Sequence, residues 1–401
     1  MSALRILMLM NRIPYPLNDG GAIGSFNFVK GYAEAGAEVT VLAMNTAKHY
    51  VPREKLQENL LKFATWHDVY VDNRIKPLPA FINLFKSESY IIERFDSVAY
   101  SNRLKDLLRS NFFDWVHIDG LPSALYIDIV RQHSKAKIAM RAHNVEYNIW
   151  KRIAEKEQHP IRRWYLQKQS SRLRNFENEA WRKVDVTLPI SREDEILIHA
   201  DVPHAKTIIV PAGWDIPDMM PSGNNNVFPL FFIGSFDWMP NLQGMKWFME
   251  MILPKLSAAF PELKIHVAGK KIPPDIYQYK SSVLHIAGEV PDAKEFMLNH
   301  GVMIVPIISG SGIRIKILEA MALGKCVIAT SVAAEGLGLT NGKNILIADD
   351  ADGFIHQIQM CLTNKELVNT IARNAFAFAK EKYSNREIIN SLLNYYRQNL
   401  P

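Results

Sequence analysis

Residues 306–329 are PIISGSGIRIKILEAMALGKCVIA, and this pattern predicts a strand, a turn, a helix and a second strand in succession. The apolar strand end leads into a Ser/Gly turn, which starts the helix, and Gly324 ends the helix before the next apolar run. Free backbone N–H groups at such a helix N-terminus can bind an anion. The segment therefore predicts an α/β fold with an anion site at a strand end.

The charged residues of this helix support the same interpretation. Arg314 and Lys316 fall in its first turns, where positive charge opposes the helix macrodipole unless an anion neutralises it. Glu319 follows Lys316 by three residues and shares its face. A carboxylate there can accept two hydroxyl hydrogen bonds, as a ribose diol would donate. A solvated Lys–Glu pair is the alternative, but it leaves the Ser/Gly turn and both cations unexplained.

Short apolar runs separated by helix-length segments extend over the whole chain. Because the runs are apolar throughout, they indicate parallel strands covered by helices on both faces. Two sets of runs predict two Rossmann-like doubly wound domains, an N-terminal domain at 1–210 and a C-terminal domain at 211–383. A C-terminal helix at 384–401 is expected to cross back to the first domain. The predicted strands are 4–10, 38–43, 114–118, 137–141, 184–189, 230–234, 263–268, 283–287, 302–306, 326–330 and 345–348.

Composition excludes several other classes of protein. The 401 residues are 48% hydrophobic and 22% charged, as in a folded multidomain chain, and the formal net charge is +6, which favours anionic partners. Two cysteines rule out a disulfide framework and a four-cysteine zinc site. No apolar run approaches the roughly 18–20 residues of a membrane span, and the N-terminus is too short for a signal-peptide core. We expect a cytoplasmic protein.

The segment 151–183 carries ten Lys or Arg residues with four large aromatic residues among them. It predicts one long helix, or two helices broken near Pro160. Its aromatic residues can dock on the first sheet, or the segment can contact an anionic acceptor or an acidic inner membrane face. Nucleic acid is not expected as a partner, because no nucleic-acid-binding motif accompanies the charge.

Two further features lie in the first domain. A glycine-rich turn at 16–24, containing Gly20 and Gly21, precedes a predicted helix at 25–35 and could place backbone N–H groups near an anion. It lacks the dinucleotide-binding and P-loop patterns, so a purely structural turn is the alternative. His143 ends a predicted parallel strand, where it could bind a sugar hydroxyl or be a satisfied core histidine.

The segment 309–330 resembles the donor-binding signature of the family-4 retaining glycosyltransferases, which have the GT-B architecture of two Rossmann-like domains facing across a cleft. Shorter and less specific matches to the family's other motifs occur in the family's order along nearly the whole chain. They are RAHNVE at 141–146, LPIS at 188–191, VPAGWD at 210–215, FIGS at 232–235, VAG at 267–269 and AGEV at 287–290.

The resemblance implies transfer of a sugar from a nucleotide-diphosphate sugar to a glycan or lipid-linked acceptor, with retention of anomeric configuration, in cell-envelope or exopolysaccharide synthesis. Glu319 would hold the donor ribose and His143 would lie near the transferred sugar. Arg314 and Lys316 would neutralise the leaving diphosphate, so neither a metal nor another cofactor is expected. The other implied donor-binding residues are Gly20, Gly21, Gly234, Gly269, Gly288, Val290, Ser309, Gly310, Ser311, Gly312 and Ile313.

The chain also departs from the family. Ser311 stands where the family often has a glutamate, and no basic residue lies in 234–238, after the first strand of the second domain. A nucleotide-sugar epimerase of the same architecture and a non-catalytic nucleotide- or glycan-binding scaffold are therefore alternatives. An NAD-dependent oxidoreductase is disfavoured because the dinucleotide fingerprint is missing.

Overall fold

The computed structural model describes residues 3–17, 20–55, 58–211, 213–221, 229–310 and 314–400. The chain forms two compact units, residues 1–213 together with 385–401, and residues 214–384. The sequence analysis predicted these two boundaries after residues 210 and 383. No helix in these described ranges combines the length and the apolar character that a membrane crossing requires.

The strands of the first unit form one parallel six-stranded sheet. Its order is β3-β2-β1-β4-β5-β6. The strands are β1 (Arg5–Met10), β2 (Glu38–Thr46), β3 (Thr65–Val71), β4 (Trp115–Asp119), β5 (Lys137–Ala142) and β6 (Val186–Pro189).

The second unit contains a matching parallel sheet. The strands are β7 (Leu230–Ile233), β8 (Ile265–Ala268), β9 (Leu284–Gly288), β10 (Met303–Val305), β11 (Val327–Ala329) and β12 (Leu346–Ile347), in the order β12-β11-β10-β7-β8-β9. Both sheets therefore have the doubly wound order 3-2-1-4-5-6 of Rossmann-like domains. The predicted fold class is confirmed.

Helices connect consecutive strands, as parallel pairing requires. In the first unit they are α1 (Gly20–Glu34), α2 (Glu58–Leu61), α3 (Pro77–Asn83), α4 (Tyr90–Glu93), α5 (Val98–Ser110), α6 (Ile127–His133), α7 (Glu146–Lys156), α8 (Pro160–Lys183) and α9 (Arg192–Asp201). In the second they are α10 (Met239–Trp247), α11 (Leu253–Ala259), α12 (Ala293–Leu298), α13 (Ile315–Ala322), α14 (Ser331–Ala334), α15 (Ala351–Thr363) and α16 (Lys365–Tyr383). The last helix, α17 (Asn385–Gln398), belongs to the first unit.

Each sheet is buried on both faces, which explains its continuously apolar strands. Along β1, Leu7 and Leu9 join one hydrophobic cluster, whereas Ile6, Met8 and Met10 join the cluster on the opposite face. Helix α17 completes this second cluster: the ring of Tyr396 stacks on that of Trp115 with the centroids 4.1 Å apart. The first unit thus gains part of its core from the C-terminal end of the chain.

The structure differs from the sequence prediction at two elements. Strand β3 was not predicted; it is an edge strand whose partly exposed residues lack a continuous apolar run. Helix α1 begins at Gly20, not at Ser25, so residues 20–24 of the predicted glycine turn are helical, while residues 18 and 19 lie outside the described residues. The break near Pro160 is present, because α7 ends at Lys156 and Pro160 opens α8, where a proline is tolerated.

Candidate functional site

Three glycines of the second unit lie at neighbouring strand ends: Gly234 after β7, Gly269 after β8 and Gly288 at the end of β9. The N–H of Gly269 donates to the carbonyl of Gly288 at 2.8 Å, and the N–H of Gly234 donates to that of Ala268 at 3.1 Å. A Cβ on Gly269 would lie only 1.8 Å from the carbonyl oxygen of Gly234. Gly269 therefore cannot be replaced without a backbone shift, and Gly288 has a positive φ of 77° that favours glycine. Their strand ends lie near the reversal of strand order, where doubly wound sheets bind ligands.

The turn after β10 lies against α10. The hydroxyl of Ser309 donates to Oε1 of Gln243 at 2.8 Å. Gly310 has a positive φ of 103°, and a Cβ there would lie 2.9 Å from Pro240. The same Cβ position is 3.6 Å from a terminal nitrogen of Arg314, so the turn and the cation are neighbours. Ser311, Gly312 and Ile313 lie outside the described residues.

Arg314 precedes α13 as its N-terminal cap residue and is only 7% exposed. Its guanidinium carbon lies 5.0 Å from the centre of the Trp238 ring, within the range of a cation–π contact. Burial lowers the pKa of Arg314, and the charge of Glu335 opposes this effect. The helix thus begins at a cation that is partly removed from water.

Lys316 and Glu319 share one face of α13, as their spacing predicts, and they form the Lys–Glu ion pair that the sequence analysis gave as the alternative interpretation. The Lys316 Nζ lies 2.5 Å from Oε2 of Glu319, and the Glu319 side chain is mostly buried. The structure therefore brings Gly310, Arg314, Lys316 and Glu319 together around the start of α13. Val290 lies beyond β9, where its side chain packs on the same unit's core.

Sequence reasoning missed two groups in this unit. Trp238 and Gln243, on either side of the α10 N-terminus, were not singled out, because their contacts are with residues far along the chain. Lys271 follows β8, and its Nζ lies 2.8 Å from Oδ2 of Asp237, which follows β7. Adjacent parallel strands end at one sheet edge, so strand order could have placed these two residues near each other.

The first unit has a cavity of about 240 Å³ at the carboxyl ends of its central strands. The lining residues come from the ends of β1, β4 and β5 and from the starts of the helices that follow. Asn11 and Gly120 mark the point where the strand order reverses; a Cβ on Gly120 would lie 2.9 Å from the Asn11 amide nitrogen. Gly21 also lines the cavity, whereas Gly20 opens α1 beside it.

His143 lines this cavity and is paired with a buried carboxylate. Its Nε2 lies 2.9 Å from Oδ1 of Asp119, and Nη1 of Arg141 lies 3.8 Å from the same oxygen. Ser25 also donates to Asp119. Burial would raise the pKa of Asp119, but His143 and Arg141 outweigh this effect and lower it below its usual range. The carboxylate is therefore ionised and fixes the orientation of His143.

A second carboxyl group of the cavity comes from α8. Both oxygens of Glu177 accept backbone hydrogen bonds at the start of α7, from the N–H of Glu146 at 2.9 Å and from that of Tyr147 at 3.0 Å. Burial raises the pKa of Glu177 to about 8, while these two hydrogen bonds act in the opposite direction. Glu177 thus fills the α7 N-terminus that an anion could otherwise occupy.

Asp119 and Glu177 were not predicted from the sequence. Asp119 comes directly after a predicted strand on the same sheet edge as His143, so strand-end position alone could have identified it. Glu177 reaches the cavity only because α7 and α8 pack side by side, a contact without a local sequence signal. Among the described residues, no cluster of His, Cys, Asp or Glu is placed to hold a metal ion.

Comparison with known proteins agrees with this architecture. The family model for "Glycosyl transferases group 1" matches residues 228–364. Over 408 residues the chain is 22% identical to a 44.6 kDa protein in the cps region of Klebsiella pneumoniae, covering 97% of this chain and 98% of the relative. Over 131 residues it is 30% identical to the phosphatidyl-myo-inositol mannosyltransferase of Mycolicibacterium smegmatis, covering 31% of this chain and 33% of that protein.

A solved structure extends the likeness to both units. The crystal structure of Anabaena HepE in complex with UDP matches 99% of this chain and 100% of its own, with a TM-score of 0.68 at 12% identity. At that identity the match concerns the fold. The family match covers the strand-end glycines and the start of α13, the residues around which the candidate site is built. Residues 228–364 thus match the group 1 glycosyltransferase family, and the two units have the Rossmann-like folds of the GT-B architecture.

Proposed function

We propose that the protein transfers a sugar from a nucleotide-diphosphate sugar to a glycan or lipid-linked acceptor, with retention of anomeric configuration, in cell-envelope or exopolysaccharide synthesis. The relative in a cps region and the mannosyltransferase relative support this setting. UDP in the HepE complex makes uridine diphosphate the first nucleotide to test.

The arrangement at the start of α13 carries the proposal. Three neighbouring strand ends carry glycine and so have no side chain of their own, and Gly310 brings the turn against Arg314. Glu319 accepts hydrogen bonds from the ribose hydroxyls, with Lys316 holding its carboxylate in place. In the proposed complex the diphosphate lies beside the two cations, while the nucleoside extends towards Gly288 and Val290.

Two cations favour the departure of the diphosphate. When the bond between the sugar C1 and the phosphate oxygen breaks, negative charge grows on that oxygen, and fixed positive charge lowers the barrier. Arg314 is partly desolvated, so a neighbouring anion interacts with it more strongly than it would in bulk water. With Arg314 and Lys316 in these roles, the reaction requires no metal ion.

The acceptor is proposed to bind in the cavity of the first unit, which His143 and Glu146 line. Asp119 fixes His143 for hydrogen bonding to a sugar hydroxyl. The acceptor oxygen forms a bond to C1 as the bond to the diphosphate breaks, and its proton passes to the departing phosphate oxygen on the same face. That route gives retention and needs no protein base.

The test combines binding with transfer. UDP, GDP and ADP are compared for their effect on the midpoint of thermal unfolding, and the corresponding labelled nucleotide sugars are then incubated with membrane lipid extracts. We expect one nucleoside diphosphate to stabilise the protein and its sugar to be transferred, with an unchanged anomeric configuration by NMR. Isomerisation of the nucleotide sugar without an acceptor, or tight binding with no turnover on any acceptor, would contradict the proposal.

A further inference from the structure

A row of large apolar side chains in the first unit faces solvent. Ile75, Leu78, Phe81, Ile82 and Phe85 are 71%, 68%, 60%, 49% and 82% exposed. Their spacing of three and four residues places them on one side of α3 and its flanking turns. An amphipathic helix normally turns such a row towards the core, so the exposed row is an inversion of the usual pattern.

The start of α8 extends this row. Ile161 and Trp164 are 70% and 52% exposed. Lys168 connects the two segments, because its Nζ lies 5.3 Å from the centre of the Trp164 ring and donates to the carbonyl of Leu84 at 2.9 Å. These seven apolar side chains, from Ile75 to Phe85 and at Ile161 and Trp164, are called the apolar patch below.

The opposite side of the 75–86 segment is attached to α8 by hydrogen bonds. Asn83 is fully buried; Nε2 of Gln169 donates to its side-chain oxygen at 2.9 Å, and Nη1 of Arg172 donates to its backbone carbonyl at 2.8 Å. This polar attachment fixes which side of α3 faces outwards. The apolar patch is therefore a stable feature of the folded unit, and contiguous apolar surface of this kind marks an interaction site.

The charged residues beside the apolar patch indicate what kind of partner it binds. Residues 160–172 contain Arg162, Arg163, Lys168 and Arg172 and no Asp or Glu. Arg162 and Arg163 are exposed. Within the 75–86 segment, by contrast, Lys76 pairs with Asp72 and Lys86 pairs with Glu93. The excess positive charge thus lies along the first turns of α8, next to the exposed apolar side chains.

We propose that the apolar patch and the adjoining cations of α8 bind the surface of an anionic lipid bilayer. Apolar and aromatic side chains enter the interface between headgroups and acyl chains, while Arg162 and Arg163 remain at the level of the lipid phosphates. Each cation near an anionic surface strengthens the attraction, which falls off with salt. A lipid surface matches an open row of side chains of this length better than a small molecule does.

This proposal differs from the membrane contact through residues 151–183 that the sequence analysis gave as one alternative. Within 151–183, Trp181 is buried and Phe176 packs against the core of the first unit, so neither can reach a membrane. Only the N-terminal part of α8 contributes, and the main apolar contribution comes from 75–85, which the sequence analysis did not single out. The proposal goes beyond the proposed transfer reaction, because it depends on neither the donor nor the acceptor.

Vesicle flotation tests the proposal with the full-length protein. Vesicles of phosphatidylcholine alone are compared with vesicles of equal parts phosphatidylcholine and phosphatidylglycerol. We expect binding to the mixed vesicles, at least about tenfold weaker binding to neutral ones, and loss of binding at high salt. The double variant Phe81→Ser/Phe85→Ser should bind at least about tenfold more weakly. Phe112→Ser, at a 58% exposed phenylalanine after α5, is the matched control and should bind like the wild type.

A labelled variant reports insertion directly. Cys326 and Cys361 are both buried, so an environment-sensitive dye can be attached at Phe85→Cys, with Phe112→Cys as control. We expect a blue shift with mixed vesicles at position 85 only. Equal binding to both kinds of vesicle, full binding by the double variant, or a wild-type dimer that the double variant dissociates in sedimentation would each overturn the proposal. Thermal stabilisation by UDP is measured on the same variants. Because it reports donor binding and not membrane binding, it distinguishes a failure of the proposed function from a failure of this proposal.

Discussion

The Nζ of Lys316 lies 2.5 Å from the carboxylate of Glu319, one turn further along α13. The carboxylate is therefore held in one position before a ligand binds, which reduces the cost of ordering it on binding. Lys316 is shared between this carboxylate and any phosphate that approaches the helix. Arg314, which caps the helix, is then the cation whose effect on a leaving diphosphate should be largest.

Replacing Arg314 tests that division of roles. Arg314→Ala should lower kcat by more than it raises the dissociation constant for UDP, because charge on the diphosphate grows during bond breaking. Steady-state kinetics and calorimetry measure the two quantities. The control is Arg373→Ala, which removes an exposed arginine of the same unit that pairs with Glu366. Equal losses in turnover and in UDP affinity would instead indicate that Arg314 only binds the ground state.

Asp119 should matter for stability as well as activity. Asp119→Asn leaves the charge of the buried Arg141 without its counter-ion, which typically costs about 3 kcal/mol and, for a unit of this size, lowers the unfolding midpoint by roughly 6–12 °C. His143→Gln removes the half-buried imidazole and should reduce transfer with a much smaller change in midpoint. A midpoint for Asp119→Asn equal to that of the wild type would refute the role of this pair.

The raised pKa of Glu177 predicts the sign of this residue's contribution to the pH dependence of the free energy of unfolding. Its folded pKa of about 8 lies above its ordinary value of 4.5, so the folded state holds a proton that the unfolded state releases. Glu177 alone therefore lowers the free energy of unfolding as the pH rises from 6.5 to 8, whereas Lys325, whose pKa burial lowers to about 8, acts in the opposite direction, so the Glu177 contribution is measured as a difference between wild type and variant. Each unit of pKa shift corresponds to about 1.4 kcal/mol.

Glu177→Gln is the matching variant, since its amide carries no titrating proton. Between pH 6.5 and 8 the unfolding midpoint of the variant should rise relative to that of the wild type, as measured by thermal unfolding at closely spaced pH values. Below this window the buried, neutral His117, whose pKa is lowered to about 3, produces a slope of the opposite sign in both proteins. A variant that retained the wild-type slope from 6.5 to 8 would show that Glu177 is ionised in the folded state.

The sequence was informative wherever structure depends on neighbouring residues. Continuously apolar runs located the buried strands, and the three-residue spacing of Lys316 and Glu319 placed them on one face of a helix. Strand β3 was missed because an edge strand need not be apolar on both faces. Helix α1 was predicted to begin too late because glycines favour turns when considered without tertiary contacts.

The candidate site in the first unit depended on contacts that no local pattern encodes. Glu177 meets the start of α7 across 31 residues, and Asp119 meets His143 across 24. Similarly, a hydrophobic row at helical spacing over 75–85 predicts a buried face, whereas the attachment of Asn83 to α8 turns that row outwards. Which side of an amphipathic helix is buried is decided by the packing partner, not by the helix alone.

The most direct test of the donor site is calorimetric titration of UDP into the wild type and into Glu319→Gln. Loss of hydrogen bonds from ribose hydroxyls to a charged group should weaken binding by about 1.5–3 kcal/mol, roughly ten- to a hundredfold. Glu366→Gln, at an exposed glutamate of the same unit, should bind UDP like the wild type. The same affinity in Glu319→Gln as in the wild type would contradict the assignment of the donor site to the start of α13.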